Sequence, residues 1–387
     1  MRVALLTWEY PPRIVGGISR HCYGLARALS RKGIEVHVFT PEFPGAPYEE
    51  AEGLLHVHRT KIELGHPSFI MWTLLMNHFI EKRLGMEGME VFDVLHVHDW
   101  LTAPAGIAAK HLGRKPLVVT MHSTENRRSS GLSTSDSMLI DGIEWWATYE
   151  AAMVVTVSNS MKRELLEHFR LPEGKIHVIP NGVDPKEFEL DIDPGKVKMS
   201  IGLSPFDRVV LFVGRLTDKK GVEFLLKAFP KIVSEENAAR LVIVGDGPLL
   251  DRLKAVAGGL GIGHLVRFLG HVDDGMLKRI FRSADVLVVP SIYEPFGIVA
   301  LEGMASGVPV VASAADGLGE VVEHEVTGIL TYPGDPDSIT WGVLRILKDG
   351  GLARRIVQEA RKRVLERYSW DVIADRTRKV YESALSR

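Results

Sequence analysis

Glu294 and Glu302 frame the segment of this chain best equipped for chemistry. The run Val286–Val289 is continuously apolar and β-branched, so it reads as a buried strand, and Glu294 follows it in a Pro- and Gly-containing loop. Glu302 then falls on the next helix, whose first amides belong to Gly297, Ile298 and Val299. Such a segment offers a carboxylate at a strand end, a nest of N–H donors for a phosphate, and a second carboxylate able to accept two vicinal hydroxyls. Residues 298–305 around Glu302 are otherwise small and apolar, where an unpaired charge is costly. A functional carboxylate is therefore expected there.

Other strand ends carry complementary groups. Gly214-Arg215-Leu216 closes one apolar run and Lys219-Lys220-Gly221 opens the helix after it, so Arg215 and Lys220 are placed to neutralise a diphosphate leaving group. Gly16-Gly17 precedes a helix and offers bare amides to an anion, but lacks the G-x-G-x-x-G spacing of a dinucleotide site, which weighs against a dehydrogenase. His96 and His98 share one face of a strand that ends at Asp99 and Trp100, and His122 ends another. His96, His98 and Asp99 fit either a metal hydrolase or hydrogen bonding to sugar hydroxyls, with Trp100 supplying an apolar face. His56 and His58 repeat the spacing without a nearby carboxylate motif.

These groups need strands to present them. Apolar β-rich runs at 3–7, 35–40, 54–59, 94–97, 117–121, 154–157 and 176–179 alternate with helical periods, and the alternation restarts at 208–214, 241–244, 266–269, 286–289, 308–312 and 328–330. This predicts an α/β protein of two Rossmann-like domains, with ligands at the strand carboxyl ends and the active site in the cleft between them. The predicted divisions are a first domain at 1–190, a second at 191–368 and an amphipathic closing helix at 369–387. Residues 184–205, rich in Pro, Gly and charge, read as the linker. The greasy segment 69–76 is far short of a membrane span and reads as a core-facing helix.

Composition narrows the classes further. The chain has 387 residues, 45% hydrophobic and 25% charged, with a net charge of −2, so no broad cationic surface awaits nucleic acid or an anionic bilayer. Cys22 stands alone, which excludes an internal disulfide or a zinc ribbon, and the apolar run at the N-terminus is too short for a signal peptide. A cytoplasmic protein is expected. Its single Gln, Gln358, fits a thermophile's avoidance of labile side chains.

Taken in order, Gly16-Gly17, Asn181-Gly182-Val183-Asp184, Gly214-Arg215-Leu216, Lys220-Gly221 and the span from Glu294 to Glu302 resemble the retaining glycosyltransferases of the GT-B fold, family four, across nearly the whole chain. The resemblance implies a metal-independent hexosyltransferase that uses a nucleotide-sugar and no cofactor, with an acceptor role for the first domain, a donor role for the second and a closing helix that packs back on the first domain. It implies that Arg215 and Lys220 hold the donor diphosphate, assisted by the amides of Gly17, Gly297, Ile298 and Val299. Glu294 would contact the donor sugar and Glu302 the ribose. His122 would lie near the sugar 6-hydroxyl, and Asp99 would face the reaction centre or the acceptor. His96-x-His98-Asp99-Trp100 and Thr120-Met121-His122 look like segments of glycogen and starch synthases, implying ADP- or UDP-glucose as donor and an α-1,4-glucan or smaller acceptor, met by Trp100 and Arg13. Segment 9–17 looks closer to family-four glycogen synthases and maltose-1-phosphate synthases, with Ile14 where the bacterial and archaeal synthases have Lys and Arg13 as the neighbouring cation. A mannosyltransferase, another hexosyltransferase or a nucleotide-sugar epimerase are the alternatives within the fold. Asp191-Ile192-Asp193 resembles the acidic triplet of metal-dependent glycosyltransferases, yet follows no buried strand and reads as a charged surface loop.

Overall fold

A computed structural model describes residues 1–65 and 68–386. Its apolar runs form fourteen strands in two sheets, and the chain divides into two compact units, Met1–Gly182 with the helix Trp370–Leu385, and Val183–Ser369.

In the first unit, β1 (Arg2–Leu6), β2 (Glu35–Pro41), β3 (Glu49–Glu52), β4 (Leu55–Thr60), β5 (Val94–His98), β6 (Leu117–Met121), β7 (Met153–Thr156) and β8 (Ile176–Val178) lie in the order β3-β4-β2-β1-β5-β6-β7-β8. All pair in parallel except β3, which runs antiparallel to β4 at the edge. The sequence pattern misses β3 because its four residues are all exposed and no side chain reports a buried face. Helix Gly17–Arg31 buries Cys22, Leu25 and Leu29 against Val3, Leu5, Val36 and Val38, and the last helix adds Ile373, Val380 and Tyr381 to the same core. Burying each such aliphatic side chain contributes about 1.5–3 kcal/mol. The last helix is further seated by Trp370, whose ring lies so close to Gly24 and Gly182 that a Cβ there would stand 2.1 Å and 2.6 Å from it.

In the second unit, β9 (Arg208–Val213), β10 (Ala239–Val244), β11 (Val266–Gly270), β12 (Val286–Val289), β13 (Val310–Ser313) and β14 (Ile329–Thr331) form a wholly parallel sheet ordered β11-β10-β9-β12-β13-β14. Strands buried on both faces explain their unbroken aliphatic runs. Residues 184–205 are not a free linker. They begin this unit: helix Pro194–Ser200 buries Val197, and Lys198 Nζ donates to Asp207 O at 2.7 Å and to Asp285 Oδ2 at 3.0 Å. Asp193 caps that helix by accepting from Gly195 and Lys196, so local capping explains this part of the acidic triplet.

Among the described residues no helix is long and apolar enough to cross a membrane. The greasy segment forms the start of helix Phe69–Glu87, which buries Thr73, Met76 and Ile80 while leaving Phe69, Met71 and Leu74 exposed, so only one of its faces serves the core.

Candidate functional site

In the second unit the chain folds so that two loops meet at the carboxyl ends of β9 and β12. Gly221 adopts φ +67°, and a Cβ there would stand 2.0 Å from Pro290 O; only glycine lets the backbones approach this closely. Lys219 O accepts the Ile292 N–H at 2.8 Å, tying the same loops together. The result is a charged pair: Lys220 Nζ donates to Glu294 Oε2 at 2.6 Å, and Ser291 Oγ donates to that oxygen at 3.2 Å. Behind it, the Glu294 N–H donates to Asp316 Oδ2 at 3.3 Å, and Glu294 O accepts from the Gly317 N–H at 3.1 Å.

Gly297 then turns left-handed at φ +100° and starts helix Ile298–Ser306, which no side chain caps. The first amides, those of Ile298 and Val299, therefore sit at the positive end of the helix dipole. Glu302 lies one turn along and is 5% exposed. Arg215 is exposed in the loop after β9, and among the described residues no carboxylate pairs with it. The structure thus joins Lys220 with Glu294, places Gly297, Ile298 and Val299 at one helix start, and leaves Arg215 projecting from a neighbouring strand end.

The first unit builds a different kind of site. Asp99 follows β5 at φ +54°, and its Oδ1 accepts the His122 N–H at 2.6 Å across to the end of β6. Burial raises its pKa to about 6, against the lowering effect of Arg128 and the His122 and Ser123 amides. Asp99 is expected from the sequence to face the reaction centre or the acceptor; the buried carboxylate fixes the backbone of His122. Arg128 bonds Glu144 Oε1 at 2.9 Å, and Glu144 also accepts the Glu125 N–H at 2.8 Å. Glu144 is fully buried, which pushes its pKa up to about 8.

His96 and His98 do share a face, with ring centroids 4.4 Å apart, but their roles separate. His96 is satisfied on both sides, by Tyr381 Oη at 2.7 Å and Thr120 Oγ1 at 2.7 Å. The alternative metal set of His96, His98 and Asp99 is therefore not assembled. His98 turns to His122, with Nδ1 and Nε2 3.1 Å apart, and His21 from helix Gly17–Arg31 joins them with its centroid 4.6 Å from that of His122. Burial lowers the pKa of all three, that of His122 to about 3, so the imidazoles are neutral at pH 7. His56 and His58, read as lacking carboxylates, lie with His37 among Glu35, Glu49 and Glu87, brought from separate elements by the fold.

The Gly16-Gly17 turn is organised by Glu9. Its Oε2 accepts the amides of Val15 at 2.6 Å and Gly16 at 2.8 Å, so a resident carboxylate occupies these two donors ahead of Gly17. Trp100 does not offer a face to solvent: it is 4% exposed and meets the ring of Phe69 edge-on. The more accessible aromatic groups are Phe69 and Trp72, stacked at 5.8 Å, with the Arg13 guanidinium 4.9 Å over Trp72 and 5.4 Å over Trp8. Arg13 and Trp72 line a cavity of about 360 Å³ together with Pro41, Glu42 and Leu64.

Sequence reasoning missed Glu9, Arg128, Glu144 and His21. The first three act through backbone amides or through one another and form no motif. His21 carries a weak signal, falling between the core positions Ile18 and Leu25 at helical spacing.

Residues 15–187 match the family model of Glycosyltransferase Family 4, and residues 198–363 match that of Glycosyl transferases group 1. The chain is 47% identical over 388 residues to an uncharacterized glycosyltransferase of Methanocaldococcus jannaschii, covering 100% of this chain and 99% of that protein. It is 33% identical over 402 residues to a glycogen synthase of Mycobacterium tuberculosis, covering 99% of this chain and 95% of the relative. Among solved structures, the sucrose-phosphate synthase from Thermosynechococcus elongatus is similar with a TM-score of 0.85 at 26% identity, over 100% of this chain and 99% of that one.

Proposed function

Because this chain belongs to the family-four glycosyltransferases of the GT-B fold, we propose that it moves a hexosyl group, glucose from ADP- or UDP-glucose, to an acceptor hydroxyl with retention of configuration and without a metal ion. The observation that carries the reading is the Lys220–Glu294 pair beside the uncapped helix start at Gly297. When the bond between the anomeric carbon and the diphosphate breaks, negative charge grows on the phosphate oxygens and positive charge on the sugar. Cations and amides must face the first, and lone pairs the second.

In this reading Lys220, Arg215 and the amides of Gly297, Ile298 and Val299 receive the diphosphate, with the amide of Gly17 assisting. Glu294 accepts from the sugar hydroxyls and is itself oriented by Lys220 and Ser291. Glu302 accepts from the ribose. The acceptor hydroxyl forms the new bond to the anomeric carbon, and its proton passes to the departing phosphate oxygen. His122 stands at the sugar, and Asp99 is a positioning residue that fixes the His122 backbone. Trp72 takes the place of Trp100 beside Arg13 as an acceptor-facing group, and an α-glucan or a smaller sugar is the acceptor. That the mycobacterial relative is a glycogen synthase supports a glucosyl donor.

The reading is tested by offering ADP-, UDP- and GDP-glucose with maltooligosaccharides in the presence of EDTA and assigning the anomeric configuration of the product by NMR. An α-linked glucoside is expected. Failure to transfer or hydrolyse glucose from any of the three removes the glucosyl reading, and an inverted product removes retention.

A further inference from the structure

One ring nitrogen in the first unit lacks the partner that burial demands. His21 is 3% exposed, yet among the described residues no hydrogen-bond partner reaches its Nε2. A buried imidazole nitrogen left without a partner is costly and calls for a bound group. It belongs to a cluster. His21, His98 and His122 each offer a ring nitrogen, and these atoms lie within 4.8 Å of one another.

We propose that His21, His98 and His122 form a binding site for one divalent transition-metal ion of the Zn2+ class. Three neutral imidazoles with an open fourth position are a donor set such ions favour over Mg2+ or Ca2+. The 3.1 Å between His98 Nδ1 and His122 Nε2 is close to the edge of a tetrahedron with metal–nitrogen bonds of about 2.0–2.1 Å. His21 contributes Nε2, because its Nδ1 is held 2.7 Å from Asn181 Oδ1. An oxygen on the far nitrogen of a ligating histidine fixes its tautomer and ring plane. Now the proton shared between His98 and His122 must leave their contact. In His98 it moves to Nε2, so the rings bind metal as neutral tautomers and no net proton is lost. His122 is partly exposed and provides the way in. The cluster around His37 differs, since every ring nitrogen of His37 and His58 already has a partner: His37 Nδ1 meets His58 Nε2 at 2.9 Å, His37 Nε2 meets Glu35 Oε1 at 3.1 Å and His58 Nδ1 meets Glu49 Oε2 at 2.7 Å.

An ion on His122 occupies the place given above to the donor sugar, so the site is inhibitory; this part rests on the proposed function. The test uses the full chain stripped of metal by chelation and titrated with Co2+. One equivalent with the intense visible absorption of tetrahedral cobalt is expected, displaced by Zn2+. His21→Gln and His98→Gln, each checked for native circular dichroism and melting, should weaken binding at least about a hundredfold, while His37→Gln leaves it unchanged. Absence of a tetrahedral cobalt spectrum, or its survival in both His21→Gln and His98→Gln, overturns the site. Should either variant misfold, Asn181→Ala supplies the same reading, with about a tenfold loss expected. Zn2+ should also inhibit transfer over the concentration range in which it binds, with recovery in EDTA. Binding without inhibition overturns the placement of the sugar at His122 and leaves the metal site standing.

Discussion

The candidate site of the second unit offers charges and bare backbone, that of the first offers neutral, mostly buried imidazoles. Of 15 histidines, only His264, His271 and His324 fall in Val183–Ser369. There the functional groups sit in loops brought together by glycine: Gly221 passes against Pro290 O, and Gly297 opens the helix above Glu294. In the first unit they sit at the ends of β5 and β6, fixed by side-chain bonds such as Asp99 to the His122 amide. On the proposed function the difference teaches that a diphosphate and a sugar ask different things of a protein. Full charge on a ligand can be met by a half-exposed lysine and amide dipoles, whereas hydroxyl groups need donors and acceptors of fixed direction, which burial supplies.

The contrast can be broken most sharply at its charged end. Glu294→Gln and Lys220→Ala should each lower turnover at least about a hundredfold if both groups contact the transition state; near-wild-type rates would remove them from the reaction. Gly221→Ala should cost the second unit more than about 2 kcal/mol, because the new Cβ meets a carbonyl 2.0 Å away in a left-handed backbone. Denaturation followed at Trp341, the one tryptophan of that unit, reads the loss against the six in the first. An unchanged midpoint would show that the loops part easily.

Positioning effects in the first unit come next. Asp99→Ala releases the His122 amide and should cut turnover about ten- to a hundredfold, whereas Asp99→Asn, which keeps an acceptor oxygen there, should restore most of it. Equal losses in the two would give the carboxylate's charge a direct role.

The first unit should also be the acid-labile one. His21, His96, His98 and His122 have folded pKa values below the ordinary 6.5, so the folded state binds fewer protons than the unfolded chain. Stability from these four is present above pH 6.5 and drains away as pH falls below it, for His122 down to about 3. Asp99 and Glu144, raised to about 6 and 8, act oppositely and lower stability as pH climbs through those values. Four groups outweigh two between pH 5 and 6.5, so tryptophan-monitored melting of the first unit should fall from pH 7 to pH 5 while the Trp341 transition holds. The smallest effect is expected at the exposed pair Lys32–Asp375, where Asp375→Ala should change stability by less than about 0.5 kcal/mol. A larger loss there would mean that the last helix depends on its rim and not on Ile373 and Tyr381.

The legibility of the sequence follows the same divide. Strands of both sheets are readable because burial on two faces writes itself as runs of Val, Leu and Ile, while β3, fully exposed, leaves no such mark. Lys220, Glu294 and Gly297 are readable because each falls in a turn between an apolar strand run and the helix after it, although Lys220 and Glu294 stand 74 residues apart. His21, Arg128 and Glu144 are not, since they sit within helices, where no strand end marks them. Asp99 and Trp100 are more buried than their strand-end positions suggest, for a related reason. A strand-end position tells where a residue is, but the turn that follows decides whether its side chain faces water or a neighbouring strand.

The return of helix Trp370–Leu385 to the first unit has a consequence for synthesis. The core around Val3, Cys22 and Tyr381 cannot close until the chain through residue 384 has left the ribosome, by which time the whole of Val183–Ser369 has already emerged. The part made first is thus the part finished last. During that interval the unfilled groove is exposed in the nascent chain, so a stalled or prematurely ended translation product would carry an intact second unit and an open, chaperone-dependent first one.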